Sequence, residues 1–130
     1  PLTQSGKPLK GGYHNHPCTR WCGDSRGNFE WAAQHAIALA EEYTYRYGKK
    51  HSCEAGIRYM ASCSWIIPEG DMTSFAQAMP DEYRNDDSVQ AYRDYYWKDK
   101  RVNIDVRWDN NRDKPQWWKQ LEVLESQPIF

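Results

Sequence analysis

The chain lacks both a long apolar run and an excess of charge of either sign. No stretch reaches the ~20 apolar residues that a membrane-spanning helix needs, so we expect no membrane partner. Its 17 basic and 18 acidic residues leave a formal net charge of -1. This balance excludes the overall positive field of a strongly basic nucleic-acid-binding domain. Any DNA contact must therefore use a local basic patch.

Several signatures of cofactor and enzyme sites are also missing. There is no glycine-rich phosphate loop, no Gly-x-Ser-x-Gly turn and no pair of Cys-x-x-Cys motifs, so we expect no cofactor. The four cysteines follow no signal peptide, which indicates free thiols and a cytoplasmic location. Because the first residue is Pro1 rather than methionine, we expect that residues upstream of it are missing or were removed.

Aromatic residues with a polar group are abundant. The 130 residues include 7 Trp and 9 Tyr but only 3 Phe, a composition that suits half-buried positions and binding faces. The length predicts one domain. We expect an extended lead-in over residues 1–13, and a mainly α, single compact domain of three to four helices with long ordered loops over residues 14–130.

Three helices are predicted from their caps and apolar spacing. The first runs over Asn28–Tyr47, with Asn28 as its N-cap and Gly48 ending it. The second lies within Ser52–Trp65. The third follows Asp87, with Gln90 at the capping-box position.

The remaining segments are less regular. Residues 68–86 contain two prolines and many turn formers, which predicts a long ordered loop. Residues 102–109 alternate apolar and polar side chains, so a short strand and a continued helix both fit. The last fifteen residues predict one or two helical turns.

The segment HNHPCTRWCG has the residue types of a metal site. His14, His16, Cys18 and Cys22 are suitable zinc ligands, but their spacing fits no common structural zinc motif. The letters HNH are adjacent, whereas the nuclease motif of that name uses separated residues. The alternative is a structural segment in which His16-Pro17 starts a turn, Trp21 anchors the core and the cysteines are small buried hydrophobes.

One flank of the first helix carries groups for acid–base chemistry. Glu42, with His16 or His35, is the candidate for proton transfer or for orienting water. The alternative for Glu42 is a surface ion pair with Arg46, four residues later. A nucleophilic Cys53 beside His51 is a further candidate.

Two segments predict DNA contacts. EEYTYRYGKKH offers Arg46, Lys49 and Lys50 to phosphates beside tyrosine rings, or is simply a solvated helix end. KPQWWK offers Lys119 to phosphate and its paired tryptophans, Trp117 and Trp118, to a base, or those rings pack back as a hydrophobic clamp.

Taken together, HNHPCTRW, NFEW, EEYTYRYGKKH, FAQAMPDEYR and AYRDYYW resemble a family of phage proteins identified as pyrimidine-dimer DNA glycosylases. The resemblance spans roughly residues 14–119. PQWWK is also similar to a Pro-x-Trp-Tyr-Lys segment near the DNA-binding face of the T-even phage enzyme.

The resemblance implies an all-α, DNA-acting phage protein that works in the host cytoplasm. In the family, an N-terminal amine attacks the sugar C1′ of a flipped nucleotide, a glutamate on an early helix assists, and β-elimination follows. Residues 1–13 contain no acidic residue, so that glutamate has no counterpart there. Pro1, a secondary amine, is the candidate nucleophile.

Three functions stay open at this point. The first is a dimer glycosylase/AP lyase or a diverged relative of one, acting on DNA with a damaged or flipped pyrimidine. The second is a phage enzyme that modifies DNA pyrimidines. The third is a non-enzymatic phage protein that binds a phage or host protein partner through its aromatic surface.

Overall fold

A computed structural model describes residues 12–127 of the chain. These residues form five α-helices and no β-strand: α1 Pro17–Asp24, α2 Arg26–Tyr47, α3 Glu54–Ala61, α4 Ser88–Tyr95 and α5 Gln116–Ser126. The predicted mainly α fold is confirmed, with five helices where three to four were expected. Pro1 and most of the predicted lead-in lie outside the described residues.

Helix α1 replaces the turn that was predicted after His16. His16 is its N-cap, with Nδ1 accepting a hydrogen bond from the Cys18 N–H at 3.1 Å. Pro17 occupies the first turn, where its missing N–H costs nothing. The helix ends at Asp24 and packs against α2, and the indole of Trp21 is buried as expected.

Helix α2 begins two residues before the prediction. Its N-cap is Ser25, whose Oγ accepts from the Asn28 N–H at 3.2 Å, so Asn28 lies inside the helix. Gly48 ends the helix as predicted, in the left-handed conformation with φ 68°. Leu39 is 58% exposed, whereas its neighbour Ala40 is buried.

Helices α3 and α4 lie where the sequence placed them. Asp87 caps α4 through Oδ1, at 3.1 Å from the Val89 N–H and 3.2 Å from the Gln90 N–H. Only this half of the predicted capping box forms, because Gln90 Nε2 donates to Asp94 Oδ1 and the Asp87 N–H donates to Asn85 Oδ1.

The chain continues from α4 through a π-helical turn and one further helical turn, Tyr96–Lys100 and Arg101–Asn103. The strand considered for residues 102–109 does not form, because the helix runs to Asn103 and irregular structure follows.

Two groups of aromatic rings organise the packing. We call Trp21, Trp31 and Phe75 the first cluster, in which neighbouring ring centroids lie 4.6–5.9 Å apart. The second cluster surrounds Trp118 and comprises Trp97, Trp108, Trp117 and Trp118. The candidate site is lined by the first cluster and by Trp117 of the second.

Candidate functional site

A mostly apolar cavity lies between α1, α2, α4 and α5. Its volume is about 580 Å³, within the usual range for small-molecule sites. Its lining comprises Cys18, Trp21, Cys22, Trp31, Ala32, His35, Phe75, Ala76, Val89, Tyr92, Arg93, Tyr96 and Trp117. The sequence analysis named four of these residues for a site, Cys18, Cys22, His35 and Trp117. It named Trp21 as an anchor of the core.

The first cluster forms one wall of this cavity. The Trp21 indole Nε1 donates to the Ser74 carbonyl at 2.8 Å, which fixes the ring against the loop after α3. Trp31 stacks on His35, with centroids 4.9 Å apart and planes 13° from parallel. This stack places an imidazole at the cavity, on the same helix as Trp31.

A buried asparagine holds the loop that carries Phe75. Asn28 Oδ1 accepts from the Thr73 N–H at 2.8 Å, and its Nδ2 donates to the Trp21 carbonyl and to Thr73 Oγ1, both at 2.9 Å. Residue 27 must be glycine here, because a Cβ would lie 2.5 Å from the Met72 nitrogen. The loop is therefore fastened directly to the start of α2.

Tyr92 fastens the next part of the same loop. Its hydroxyl donates to the Ala76 carbonyl and accepts from the Ala78 N–H at 3.2 Å. Burial raises the pKa of this phenol, so the hydroxyl stays protonated at neutral pH. Tyr92 thus shapes the wall through the two hydrogen bonds of its hydroxyl.

The two cavity cysteines lie one turn apart on α1. Cys18 Sγ is 3.8 Å from the Tyr92 hydroxyl. Burial, and then the neighbouring Cys18, raise the pKa of the Cys22 thiol. Cys22 therefore contributes a neutral thiol to the wall.

Arg93 is the one cation among the described lining residues, and none of those residues is a carboxylate. Its guanidinium carbon lies 5.6 Å from the centroid of the Trp117 ring, a cation–π contact. None of the ion pairs found within residues 12–127 involves Arg93. Its charge is thus available at the cavity.

Glu42 lies outside this cavity, between two arginines. Arg46 Nε donates to its Oε2 at 2.8 Å, and Arg112 donates to both oxygens at 2.7 and 2.8 Å. The hydrogen bonds from Arg112, and then Arg46, lower the pKa of Glu42. A carboxylate held in this way is a poor proton donor, and its role here is to fasten residues 107–112 to α2.

The structure does not bring Glu42 together with His16 or His35, the residues predicted for acid–base chemistry. His35 precedes Glu42 by seven residues on one helix, about 10 Å along its axis, and only His35 reaches the cavity. His16 is exposed and uses Nδ1 as the cap of α1. His51 likewise accepts from the Cys53 N–H at 3.0 Å rather than activating that thiol.

The zinc alternative finds no support in the geometry. Among residues 12–127, no group of three or more His, Cys, Asp or Glu side chains is arranged to hold a metal ion. His14 and His16 are exposed before α1, whereas Cys18 and Cys22 face the cavity.

The structure places the residues predicted to contact DNA in different surroundings. Trp118 is 6% exposed in the centre of the second cluster, a placement that favours the clamp interpretation over base stacking for this ring. Trp117 lines the cavity. Lys49 and Lys50 are exposed beyond the end of α2, and Lys50 lies 3.8 Å from Glu54.

A second, more polar cavity of about 750 Å³ contains Lys119. Each of its three cations faces a carboxylate: Arg112 with Glu42 at 2.7 Å, Lys114 with Glu122 at 3.0 Å and Lys119 with Asp113 at 2.6 Å. Since its charges are internally balanced, this cavity offers less to an anionic ligand than Arg93 does.

No protein-family model matches the sequence, and no curated protein or solved structure matches it either. The resemblance to the dimer glycosylases therefore stays a prediction from the motifs. In the part of the chain that the structure describes, no helix is both long and apolar enough to span a bilayer.

Proposed function

We propose that this protein acts on DNA and accepts an unstacked pyrimidine in the aromatic cavity, as a relative of the phage dimer glycosylases in an infected host cell. The observation that carries the proposal is the pairing of aromatic walls with one unpaired cation, Arg93, in a cavity lined by no described carboxylate. A flat apolar ring joined to a phosphate matches both features.

Stacking supplies the affinity in this proposal. Trp31 and Tyr96 are partly exposed, and Trp117 is half-buried, so each has ring surface left for a ligand. Base–aromatic stacking contributes about 1–3 kcal/mol per base. The apolar lining also excludes water from the ring faces of the base.

His35 is the group we assign to proton transfer. An imidazole is the commonest general acid–base group, and His35 lies at the cavity, whereas Glu42 is held by two arginines elsewhere. Base excision would need in addition an amine nucleophile, for which Pro1 is the candidate. Modification of the pyrimidine without excision would not need that amine.

One experiment separates these reactions. The full chain is incubated with DNA that carries either a pyrimidine dimer or an abasic site, and borohydride is added to trap an imine. A trapped adduct that acetylation of the N-terminus abolishes supports excision. Tight binding without an adduct supports modification and rules out the imine mechanism.

The matched variants are Trp117→Ala at the cavity and Trp65→Ala at a ring that is 72% exposed after α3. We expect Trp117→Ala to weaken DNA binding and Trp65→Ala to leave it unchanged. Equal loss in both would remove the cavity from the proposal.

A second function is favoured by a different surface. Tyr59 and Trp65 are 71% and 72% exposed, and Ile66 next to Trp65 is also exposed. A non-enzymatic protein that binds a phage or host protein would use such an aromatic surface. This second function predicts that the protein does not bind DNA at any salt concentration.

A further inference from the structure

Two of the four predicted phosphate contacts, Arg46 and Lys119, are already paired with carboxylates, which limits the kind of DNA that the cavity can recognise. Arg46 is bound to Glu42 at 2.8 Å and also donates to the Arg107 carbonyl at 3.0 Å. Lys119 is bound to Asp113 at 2.6 Å. Breaking these pairs to contact phosphate would leave Asp113 without its partner and Glu42 with Arg112 alone, both next to the DNA.

We propose that the site recognises single-stranded or locally unpaired DNA, with Arg93 making the one phosphate contact at the cavity. The inference rests on the proposed function, since it concerns the substrate of the same cavity. In this proposal, Trp117 positions the Arg93 guanidinium and also contacts the base.

The energies favour an unpaired target. Extracting a base from a duplex costs a few kcal/mol, about the amount that stacking one base on an aromatic ring returns. Duplex-binding proteins usually meet that cost by neutralising several phosphates, typically about 6–10. With one unpaired cation among its described lining residues, in a chain of formal net charge -1, the cavity offers a single such contact.

The geometry of the cation supports the same conclusion. Arg93 is exposed on α4, and its guanidinium lies over the ring of Trp117 on α5. The cation and the ring therefore come from two helices that meet at the cavity. A nucleotide whose base enters between the aromatic walls would leave its phosphate near Arg93.

The test compares three DNA ligands by fluorescence anisotropy with the full chain. They are a thymidine-rich single strand of about 12 nucleotides, its fully paired duplex, and the duplex with one unpaired thymine. We expect the single strand and the unpaired thymine to bind at least about tenfold more tightly than the paired duplex, since roughly 1.4 kcal/mol is a factor of ten.

The salt dependence counts the phosphate contacts. For the single strand we expect log K to fall with log salt concentration with a slope of about -0.7, the value for one contact. Arg93→Gln should remove that slope, and Arg93→Lys should retain it. The double variant Lys49→Gln/Lys50→Gln should reduce affinity and slope less than Arg93→Gln does. Far-UV circular dichroism verifies that each variant is folded.

The outcomes distinguish this inference from the function on which it rests. Equal or tighter binding of the paired duplex, a steep slope, or a larger effect of the lysine variant than of Arg93→Gln would overturn the inference and leave the DNA function standing. No binding to any of the three ligands by the folded wild-type chain would overturn both.

Discussion

Asn28 and Thr73 form a reciprocal pair across 45 residues of sequence. The Thr73 N–H donates to Asn28 Oδ1 at 2.8 Å, and Asn28 Nδ2 donates to Thr73 Oγ1 at 2.9 Å. Asn28 is fully buried, so these bonds have no competition from water. They place Phe75, two residues further on, in the wall of the cavity.

Replacing Asn28 should destabilise the protein. Asn28→Ala leaves the Trp21 carbonyl and the Thr73 N–H without partners, and an unsatisfied buried polar group costs about 1–3 kcal/mol. We expect a loss of roughly 2–3 kcal/mol in the free energy of unfolding, measured by urea denaturation. Asn103→Ala, at an exposed asparagine that bonds only to Asp99, is the control. Equal losses in the two variants would mean that the loop is not fastened by Asn28.

Replacing glycine by alanine should have opposite effects on stability at Gly27 and at Gly23. At Gly27 a Cβ would lie 2.5 Å from the Met72 nitrogen and 2.9 Å from the Asp71 carbonyl carbon, so the loop must move away. Gly27→Ala should cost about 1–3 kcal/mol, the range for overpacking. Gly23→Ala in α1 meets nothing within 4 Å and should stabilise the helix by about 0.5–1 kcal/mol. Thermal denaturation of both proteins tests the contrast, and a neutral Gly27→Ala would contradict the close approach.

The helices that the sequence predicted well have local signals. Gly48 ends α2 and Asp87 caps α4 through contacts within a few residues, which is the range that sequence patterns report. Helix α1 was missed because its eight residues contain a glycine, two cysteines and a threonine, which are weak helix formers. It is held instead by the His16 cap and by the burial of Trp21 against other segments.

The candidate site was less predictable because its contacts join distant segments. The Glu42–Arg46 pair follows from helical spacing, whereas the Glu42–Arg112 pair spans 70 residues and has no local signal. Asn28 and Phe75 lie within NFEW and FAQAMPDEYR, and Tyr92 and Arg93 lie within AYRDYYW. The motifs thus contained the residues, but only the fold shows which side chains meet.

The Glu42 pairs predict a pH dependence of stability. The pKa of Glu42 is lowered in the folded state by its hydrogen bonds to Arg112 and then Arg46. The pairs therefore stabilise the fold above the unfolded pKa of about 4.3, and this contribution is lost as the pH falls through the lower folded value. Glu42→Gln should reduce the urea midpoint at pH 7, and its difference from wild type should shrink towards pH 3.

Glu41→Gln is the control for that measurement. Glu41 is the preceding residue on α2 and pairs with Arg58 at an exposed position, with an N–O distance of 3.2 Å. Exposed pairs of this kind contribute little, so we expect almost no change at any pH. A difference between Glu42→Gln and wild type that grows as the pH falls would contradict the assignment.

The neighbouring tryptophans of α5 should separate stability from binding. Trp118 is buried against Trp97, Trp108 and Trp117, so Trp118→Ala should cost about 3–5 kcal/mol, the usual range for a large core aromatic. Trp117 is half-buried at the cavity, so Trp117→Ala should cost less in stability and more in DNA affinity. Urea denaturation and anisotropy on the same preparations measure both quantities. If Trp118→Ala abolished DNA binding while leaving the urea midpoint unchanged, the base-stacking role for this ring would be right and the clamp wrong.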